Sequence, residues 1–233
     1  MSTPAVIDAA TATMISLIVS LADNKSALGR RYGEWAVSAP TIESAVAAAA
    51  MAQDELGHAR STYPVLAKLG VQRDEEGIDA GDPLEVLKRE LPDWASVIAA
   101  NLVVDGILTT FVASARDSSI EPLAQRARKI LQEEGAHRVH AEAWLRRIAR
   151  RGGSQADLLR QRIGEMWDQA ARWPGPDDDG WRAAIAERMV SEGPDHIRAR
   201  VREWLEGLLR AEGLEVPLAE PSDWSAFDER RRR

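Results

Sequence analysis

Two Glu-x-x-His segments, one in each half of the chain, hold the residue types whose spacing could do chemistry. Glu55 and His58 form the first pair, and Glu134 and His137 form the second. A separation of three residues places a carboxylate and an imidazole on one face of a helix, where both can bind the same metal ion. One such pair is weak evidence, so it is the repetition that indicates a metal site.

One further polar residue precedes each pair by about the length of a helix. Lys25 lies 30 residues before Glu55, and Asp105 lies 29 residues before Glu134. One residue plus a Glu-x-x-His from each helix pair is the arrangement of a two-metal centre in a four-helix bundle. Lys25 departs from it, because it is a cation where a carboxylate ligand is expected, and it is the candidate catalytic residue. The predicted metal ligands are Glu55, His58, Asp105, Glu134 and His137.

Four long amphipathic helices must position these residues. Apolar residues recur at steps of three and four along almost the whole chain, which predicts helices over residues 4–37, 41–69, 93–114 and 118–150. Pro64 is expected to kink the end of the second helix. Each candidate residue interrupts the apolar stripe of its helix, so its side chain is predicted to point into the bundle core.

Residues 154–233 extend beyond these four helices. Helical periodicity over residues 154–172, 181–192 and 195–212 is interrupted by a segment rich in Pro, Gly and Asp, and an extended tail follows. We therefore predict an all-α fold in two parts. Residues 1–153 form the bundle core with the site, and residues 154–233 form C-terminal helices and a tail packed on that core.

Two shorter segments carry their own predictions. A loop at residues 77–83 is followed by a short helix between Leu84 and Pro92. The four consecutive arginines at residues 230–233 are expected to form a solvated terminus. Contact of these arginines with an acidic partner is the alternative.

The composition excludes several classes of protein. The chain has 233 residues, no cysteine and a net charge of −7. Disulfides and Cys-ligated metal sites are therefore absent, and general nucleic-acid binding is disfavoured. No secretory signal is recognisable, and the apolar stretches are too short or too rich in alanine to span a membrane. We expect a cytoplasmic protein with no membrane and no nucleic-acid partner.

The six inward-pointing polar side chains need compensation, because an unpaired buried charge strongly destabilises a fold. Two divalent metal ions would supply it. Mixed carboxylate and imidazole ligands suit iron and leave positions open for dioxygen. The alternative is a buried network of salt bridges and hydrogen bonds that keeps the geometry of a lost metal site. The expected cofactor is iron, as one or two ions.

Residues beside the predicted ligands have roles that the sequence leaves open. Asp54 and Glu133 each directly precede a predicted ligand, and are either partners of the ligands or surface residues. Gly57, Gly106 and Gly135 lie beside or between the ligands, where a mid-helix glycine costs about 1 kcal/mol relative to alanine. Close helix packing is the usual reason for such glycines, and room for dioxygen or substrate is the alternative.

The segments around the ligands also carry a resemblance to a known family. Residues 52–58, 102–106 and 133–137 resemble the ferritin-like subunits of bacterial phenylacetyl-CoA epoxidase. A looser similarity runs from about residue 22 to residue 217. The resemblance implies a ferritin-like four-helix bundle with additional C-terminal helices.

Two related subunit types occur in that family. The catalytic type holds a di-iron centre and inserts one oxygen atom into the aromatic ring of a CoA thioester. The structural type keeps the fold, lacks a working centre and pairs with the catalytic type. By this resemblance Lys25 stands where the catalytic type has a glutamate, and Asp23-Asn24 is more like the structural type. The residues that match catalytic-type ligands are Glu55, His58, Asp105, Glu134 and His137.

Lys25 therefore decides between two functional hypotheses. It could be neutral, it could be carbamylated, or its ammonium could occupy a metal position. The first two states favour a metal-dependent oxygenase component that acts on an activated, CoA-linked aromatic substrate. Its electrons would come from a separate reductase, because the chain has no nucleotide-binding fingerprint. The third state favours a structural subunit that binds a homologous catalytic one. Either hypothesis implies a homo- or hetero-oligomer.

Overall fold

The computed structural model of the protein describes residues 7–72 and 81–233, and within those ranges the regular elements are helices, without a strand. The prediction of an all-α, ferritin-like bundle is confirmed. The α-helices are α1 (Ala9–Trp35), α2 (Ile42–Ser61), α3 (Tyr63–Lys68), α4 (Trp94–Ala99), α5 (Gly106–Ser114), α6 (Glu121–Arg151), α7 (Gly153–Ala170), α8 (Asp179–Ala186) and α9 (Pro194–Ala211).

The first helix pair has well-defined ends. The Asp8 side chain caps α1 by accepting a hydrogen bond from the backbone N–H of Thr11. The Thr41 side chain caps α2 in the same way. The predicted kink is present, because α2 ends at Ser61 and α3 begins at Tyr63 with Pro64 in its first turn. The two long helices α1 and α2 pack against each other and present Lys25 and Glu55 to the core.

The third long helix contains a π-helical segment that the sequence did not reveal. Asp93 caps α4, and a π segment at Ala100–Asp105 joins α4 to α5. Such segments are wider than an α-helix and are frequent at functional sites. Asp105 is its last residue. The prediction that the apolar stretches are too short to cross a membrane is wrong for Trp94–Ser114, which is apolar and long enough. However, 83% of its most apolar 18 residues are buried inside the bundle, as in a core helix.

The longest helix, α6, follows the predicted pattern. It ends at Gly152, whose φ of +65° is accessible to glycine and terminates the helix. Its buried face carries Glu134 and His137 in the middle of an apolar stripe. The other members of that stripe are Ala127, Ile130, Ala141, Trp144 and Ile148.

The C-terminal helices pack against the bundle. Helix α7 contacts α4 and the π segment, α8 contacts α1, and α9 contacts α5. Trp167, Trp173 and Trp181 are fully buried at these contacts. The helix predicted at residues 181–192 is shorter than expected, because α8 ends at Ala186 and Arg188 adopts a positive φ.

The prediction of a short helix between Leu84 and Pro92 is wrong, because this segment forms only a 3₁₀ turn at Glu85–Leu87. Side chains of the bundle take its backbone donors: the N–H of Leu84 donates to Asn24, and the N–H of Val86 donates to Gln169. These contacts compete with the hydrogen bonds of a helix. Residues 77–80 of the predicted loop lie outside the described residues.

The expectation of a solvated arginine terminus holds for Arg230 and Arg231, which are exposed, but is wrong for Arg232 and Arg233. Arg232 is 2% exposed, and its Nε donates a hydrogen bond of 2.9 Å to the carbonyl oxygen of Trp173. Arg233 donates to the carbonyl oxygen of Pro83. Arg233 also pairs with Asp82 at 3.2 Å. These two residues anchor the terminus on the bundle through backbone carbonyl oxygens and one carboxylate.

Candidate functional site

Lys25 lies at the centre of a buried cluster of charges. Its Nζ is 2.5 Å from Asp105 Oδ1, 2.5 Å from Glu134 Oε1 and 3.0 Å from Glu55 Oε2. The four side chains are all buried. They come from α1, α2, the π segment and α6, so the ammonium of one helix joins carboxylates of three others. The inward orientation predicted from the apolar stripes is confirmed.

The pKa of Lys25 is raised well above its usual value. Burial by itself lowers this pKa, but attraction from Asp105, Glu134 and Glu55 outweighs burial. Lys25 is therefore an ammonium in this structure. Burial raises the pKa of Glu134, but Lys25 and the two histidines outweigh it and hold that pKa well below its usual range.

The pKa of Asp105 shifts in the opposite direction to that of Glu134. Its pKa is raised to about 6, because burial and repulsion from Glu134 and Glu55 outweigh attraction to Lys25. The hydroxyl of Thr109, one turn further along the helix, donates a hydrogen bond of 3.3 Å to Asp105 Oδ1.

The two histidines complete the cluster. His58 Nδ1 lies 3.2 Å from Glu134 Oε1, and His137 Nδ1 lies 3.3 Å from Glu134 Oε2. Burial lowers the pKa of both imidazoles, but the neighbouring carboxylates outweigh burial and raise it to about 9 for His58 and about 12 for His137. With both rings protonated, the cations Lys25, His58 and His137 face the three buried carboxylates.

The outer nitrogen of each imidazole contacts an acid from the opposite helix. His58 Nε2 is 2.9 Å from Glu133 Oε2, and His137 Nε2 is 3.2 Å from Asp54 Oδ2. These crossed pairs between α2 and α6 fix the orientation of both rings. The sequence left two roles open for Asp54 and Glu133. In the structure both residues are partners of the histidines.

The residue types in this cluster are suitable ligands for a metal ion. Glu55, Asp105, Glu134 and His137 each offer a ligand atom, and these atoms lie within 4.8 Å of one another. Carboxylates and imidazoles are ligands that iron accepts. The buried Nδ1 atoms of His58 and His137 also lack a hydrogen bond of good geometry in the described part of the chain.

The Lys25 ammonium does not fit a two-metal centre. It contacts both oxygens of Glu55 and one oxygen each of Asp105 and Glu134, the carboxylates that would bind the ions. A unit charge ~4 Å away in an effective dielectric near 20 contributes about 4 kcal/mol, and each divalent ion would repel the ammonium more strongly than that. The carboxylates can compensate Lys25 or two metal ions, but not both in this geometry.

Two cavities lie beside the cluster, and residues of α6 line both. One of about 220 Å³ reaches Asp105 and Glu134 beside Gly106 and Gly135. The other, of about 230 Å³, reaches His58 beside Gly57 and is also lined by Asp54 and Glu133. Space therefore exists next to the cluster at two places.

The three glycines have different surroundings. A Cβ atom at Gly106 would lie 3.6 Å from Trp204 and from Val201, so this glycine is at a packing contact with α9. A Cβ atom at Gly57 or Gly135 would meet nothing within 4 Å. Since 3.6 Å is an ordinary van der Waals distance, lack of space does not require glycine at any of the three positions, and Gly57 and Gly135 adjoin open space at the cavities.

Sequence reasoning missed the residues that cover the approach to Glu134. The guanidinium of Arg138 lies 4.3 Å from the ring centre of Trp204, at the first of the two cavities. The Trp204 indole N–H donates to Glu142. Arg138 directly follows a predicted ligand, but nothing in the spacing of the sequence links it to a tryptophan on α9.

Comparison with known proteins extends over nearly the whole chain. A family model described as phenylacetic acid catabolic protein matches residues 2–231. A curated relative is one of the subunits of the 1,2-phenylacetyl-CoA epoxidase of Escherichia coli (strain K12). It is 27% identical over 185 residues, which cover 77% of this chain and 74% of the relative. The resemblance seen in the ligand segments is confirmed.

Proposed function

Because the chain belongs to the phenylacetic acid catabolic protein family, we propose that it is a structural subunit of a multicomponent oxygenase. The complex would act on an aromatic CoA thioester, the substrate class in the name of the Escherichia coli relative. Its partner would be a homologous chain with a carboxylate at the position of Lys25, served by a separate reductase. In this proposal Lys25 has a structural role and no catalytic one.

The observation that carries this proposal is the position of Lys25. Its ammonium lies within 3.0 Å of carboxylate oxygens from Glu55, Asp105 and Glu134. It supplies positive charge where metal ions would otherwise balance these acids. The retained acids then serve as partners of Lys25, and His58 and His137 pair with the same acids, so that the cluster holds the bundle helices together.

A second candidate is a metal-dependent oxygenase component. The convergence of four ligand atoms within 4.8 Å supports it. This function requires Lys25 to lose its charge, to be carbamylated or to move away from the carboxylates. Iron would then be held by Glu55, His58, Asp105, Glu134 and His137.

The remaining partners follow from charge and composition. The net charge of −7 supports a chain without a nucleic-acid partner. The absence of cysteine fits a cytoplasmic location, which stays a prediction.

Elemental analysis of iron per chain tests the choice between the two candidates. Protein expressed in iron-supplemented medium, and the same protein reconstituted with ferrous iron without oxygen, is expected to contain no stoichiometric iron. The Lys25→Glu variant is expected to gain iron toward two ions per chain. Lys68→Glu, at an exposed lysine, is the control and should resemble the wild type.

Two irons per chain in the wild-type protein would overturn the structural proposal and favour the oxygenase. Unchanged iron content in a folded Lys25→Glu variant would show that Lys25 is not what excludes the metal.

A further inference from the structure

Exposed apolar side chains are concentrated on one side of the molecule. Six large apolar side chains are exposed in the described ranges, and four of them lie on α2, on α6 or in the turn that connects α1 to α2. These four are Val37, Ile42, Val46 and Val139, with exposures between 64% and 90%. Single exposed apolar residues are ordinary on a protein surface, whereas a cluster of them indicates an interaction surface.

Helices α2 and α6 lie side by side and run in opposite directions. Near one end of the pair, the indole N–H of Trp144 donates a hydrogen bond of 2.9 Å to Ser44 Oγ. Near the other end, His58 Nε2 lies 2.9 Å from Glu133 Oε2. In this register the outward-facing residues of both helices form one continuous surface, which we call the α2–α6 face.

The centre of the α2–α6 face is apolar, and most of its side chains are small. The exposed residues that follow one another there at helical steps are Val46, Ala49, Ala50, Ala136, Val139 and Ala143. Small side chains leave both helix backbones accessible, so another helix can approach closely. The cavity of about 230 Å³ beside Gly57 opens on the same face and has room for a side chain of a partner.

Cations surround this apolar centre. Helices α2 and α6 together hold nine arginines and lysines against seven acids, and two of these acids, Glu55 and Glu134, are buried in the charge cluster. Arg60 and Arg126 at one end of the face, and Arg147 at the other, are exposed and form no ion pair with a carboxylate in the described ranges. Because the whole chain has a net charge of −7, this face differs in sign from the rest of the chain. It is complementary to a partner with acidic residues around the contact.

A second copy of this chain does not match the α2–α6 face in charge. If two copies packed through it, each cationic end of one copy would meet a cationic end of the other in either orientation, and like charges across an interface disfavour the contact. Glu43 lies near Arg147 at one end, but Arg147 and Arg151 together outweigh it there. The charges therefore favour a different chain over self-association.

The α2–α6 face is large enough for a stable interface. Helix α2 has 20 residues, which correspond to a length of about 30 Å. Two neighbouring helices, each about 10 Å across, give a width of about 20 Å and an area of about 600 Å². Stable complexes bury about 800 Å² on each partner, and the turn at Val37 extends the face toward this value. Since homologous chains share a fold, a homologous chain offers a helix pair of matching length.

We propose that the α2–α6 face docks on the corresponding helix pair of a homologous chain that carries acidic residues around its contact surface. The inference rests on the proposed function, because it specifies the surface through which the structural subunit holds its catalytic partner. Apolar side chains at the centre supply most of the binding free energy, and the cations at the rim select the partner.

Titration of the full chain with the homologous chain of the same genome that has a carboxylate at the position of Lys25 tests the proposal. We expect a one-to-one complex by size-exclusion chromatography with light scattering. Val46→Arg and Val139→Arg should each weaken it by about tenfold or more, because each places a charge inside the contact. Ile185→Arg is the matched control, since Ile185 is an exposed apolar residue on α8, which packs on α1, and it should leave the affinity unchanged. Thermal unfolding should confirm that all three variants fold.

Charge reversal at the rim tests the chemistry of the partner. Arg126→Glu and Arg147→Glu should each weaken the complex several-fold, and higher salt should weaken the wild-type complex in the same way, because both remove attraction to the acidic rim. Arg230→Glu changes an exposed cation of the C-terminal tail and should leave the affinity unchanged.

Three results would overturn the inference. A complex whose affinity is unchanged in both Val46→Arg and Val139→Arg would place the contact on another face and leave the structural-subunit function standing. A homodimer of this chain that the same two substitutions dissociate would assign the face to a second copy. The third result is no complex with the homologous chain, which would also overturn the proposed function.

Discussion

Lys25 and Arg232 are both almost completely buried cations, at 1% and 2% exposure, yet their surroundings differ in kind. Lys25 meets three carboxylates. Arg232 meets the backbone carbonyl oxygens of Trp173 and Pro174, and the ring of Phe227 lies 5.3 Å away. One cation is surrounded by opposite charge, and the other by neutral dipoles.

The pKa values of these two groups move in opposite directions as a result. Burial lowers the pKa of Arg232 to about 10, because the acids nearest to it, Glu229 and Asp178, only partly oppose the loss of water. Burial also acts on Lys25, but its carboxylates outweigh it and raise the pKa. Both groups are cations at neutral pH, and the comparison teaches that the partners of a buried cation decide the direction of its pKa shift and its role. Lys25 neutralises a charge cluster, whereas Arg232 fastens the C-terminus.

Removal of Lys25 should give the largest effect. Lys25→Met leaves three buried carboxylates without their cation, so the free energy of unfolding should fall by about 3–5 kcal/mol. Urea unfolding at pH 7.5 measures it, with Lys68→Met as the exposed control. A loss below about 1 kcal/mol would mean that Lys25 is not needed to balance the cluster.

The pH dependence of stability should follow from His58. Its pKa is raised from 6.5 to about 9 in the folded protein. The stability that this shift provides is fully present below pH 6.5 and is lost as pH rises through 9, by roughly 3 kcal/mol in total. We expect chelator-treated wild-type protein to lose that much more stability than His58→Gln between pH 6.5 and 9. Parallel curves for the two proteins would contradict the protonated state of His58.

Removal of Arg232 should have a smaller effect than removal of Lys25. Arg232→Ala loses hydrogen bonds to two carbonyl oxygens but leaves no unpaired charge, so we expect a loss of about 2 kcal/mol in urea unfolding. Arg230→Ala changes an exposed neighbour and should have almost no effect. If Arg232→Ala destabilised the protein as much as Lys25→Met, the distinction between the two cations would not hold.

The smallest expected change is that of Arg232→Lys. A lysine keeps the positive charge but lacks the planar fork that reaches two carbonyl oxygens at once. The loss should be about 1 kcal/mol, less than for alanine, and thermal unfolding at pH 7.5 can detect it. Complete rescue by lysine would show that charge alone holds the terminus.

The same comparison explains what the sequence could and could not predict. The convergence of Lys25, Glu55, Asp105 and Glu134 was predictable, because each residue interrupts an apolar stripe with helical spacing and so must point inward. The burial of Arg232 could not be predicted, since its partners Trp173 and Pro174 lie in an irregular segment almost 60 positions earlier.

Two further features could not be predicted from the periodicity of the sequence. The π segment Ala100–Asp105 has side chains that suit an α-helix equally well, so its residue types do not reveal it. The charge state of Lys25 depends on distances to carboxylates from three other helices, which spacing along the chain does not give.

The central claim is that the Lys25 ammonium takes the place of metal charge, and anomalous diffraction at the iron absorption edge tests it most directly. The crystals would be grown from wild-type protein reconstituted with ferrous iron without oxygen. The account predicts no iron peak between Glu55, Asp105 and Glu134, and Lys25 Nζ in hydrogen-bond contact with these carboxylates. Iron peaks at the carboxylates, with Lys25 displaced from them, would contradict it.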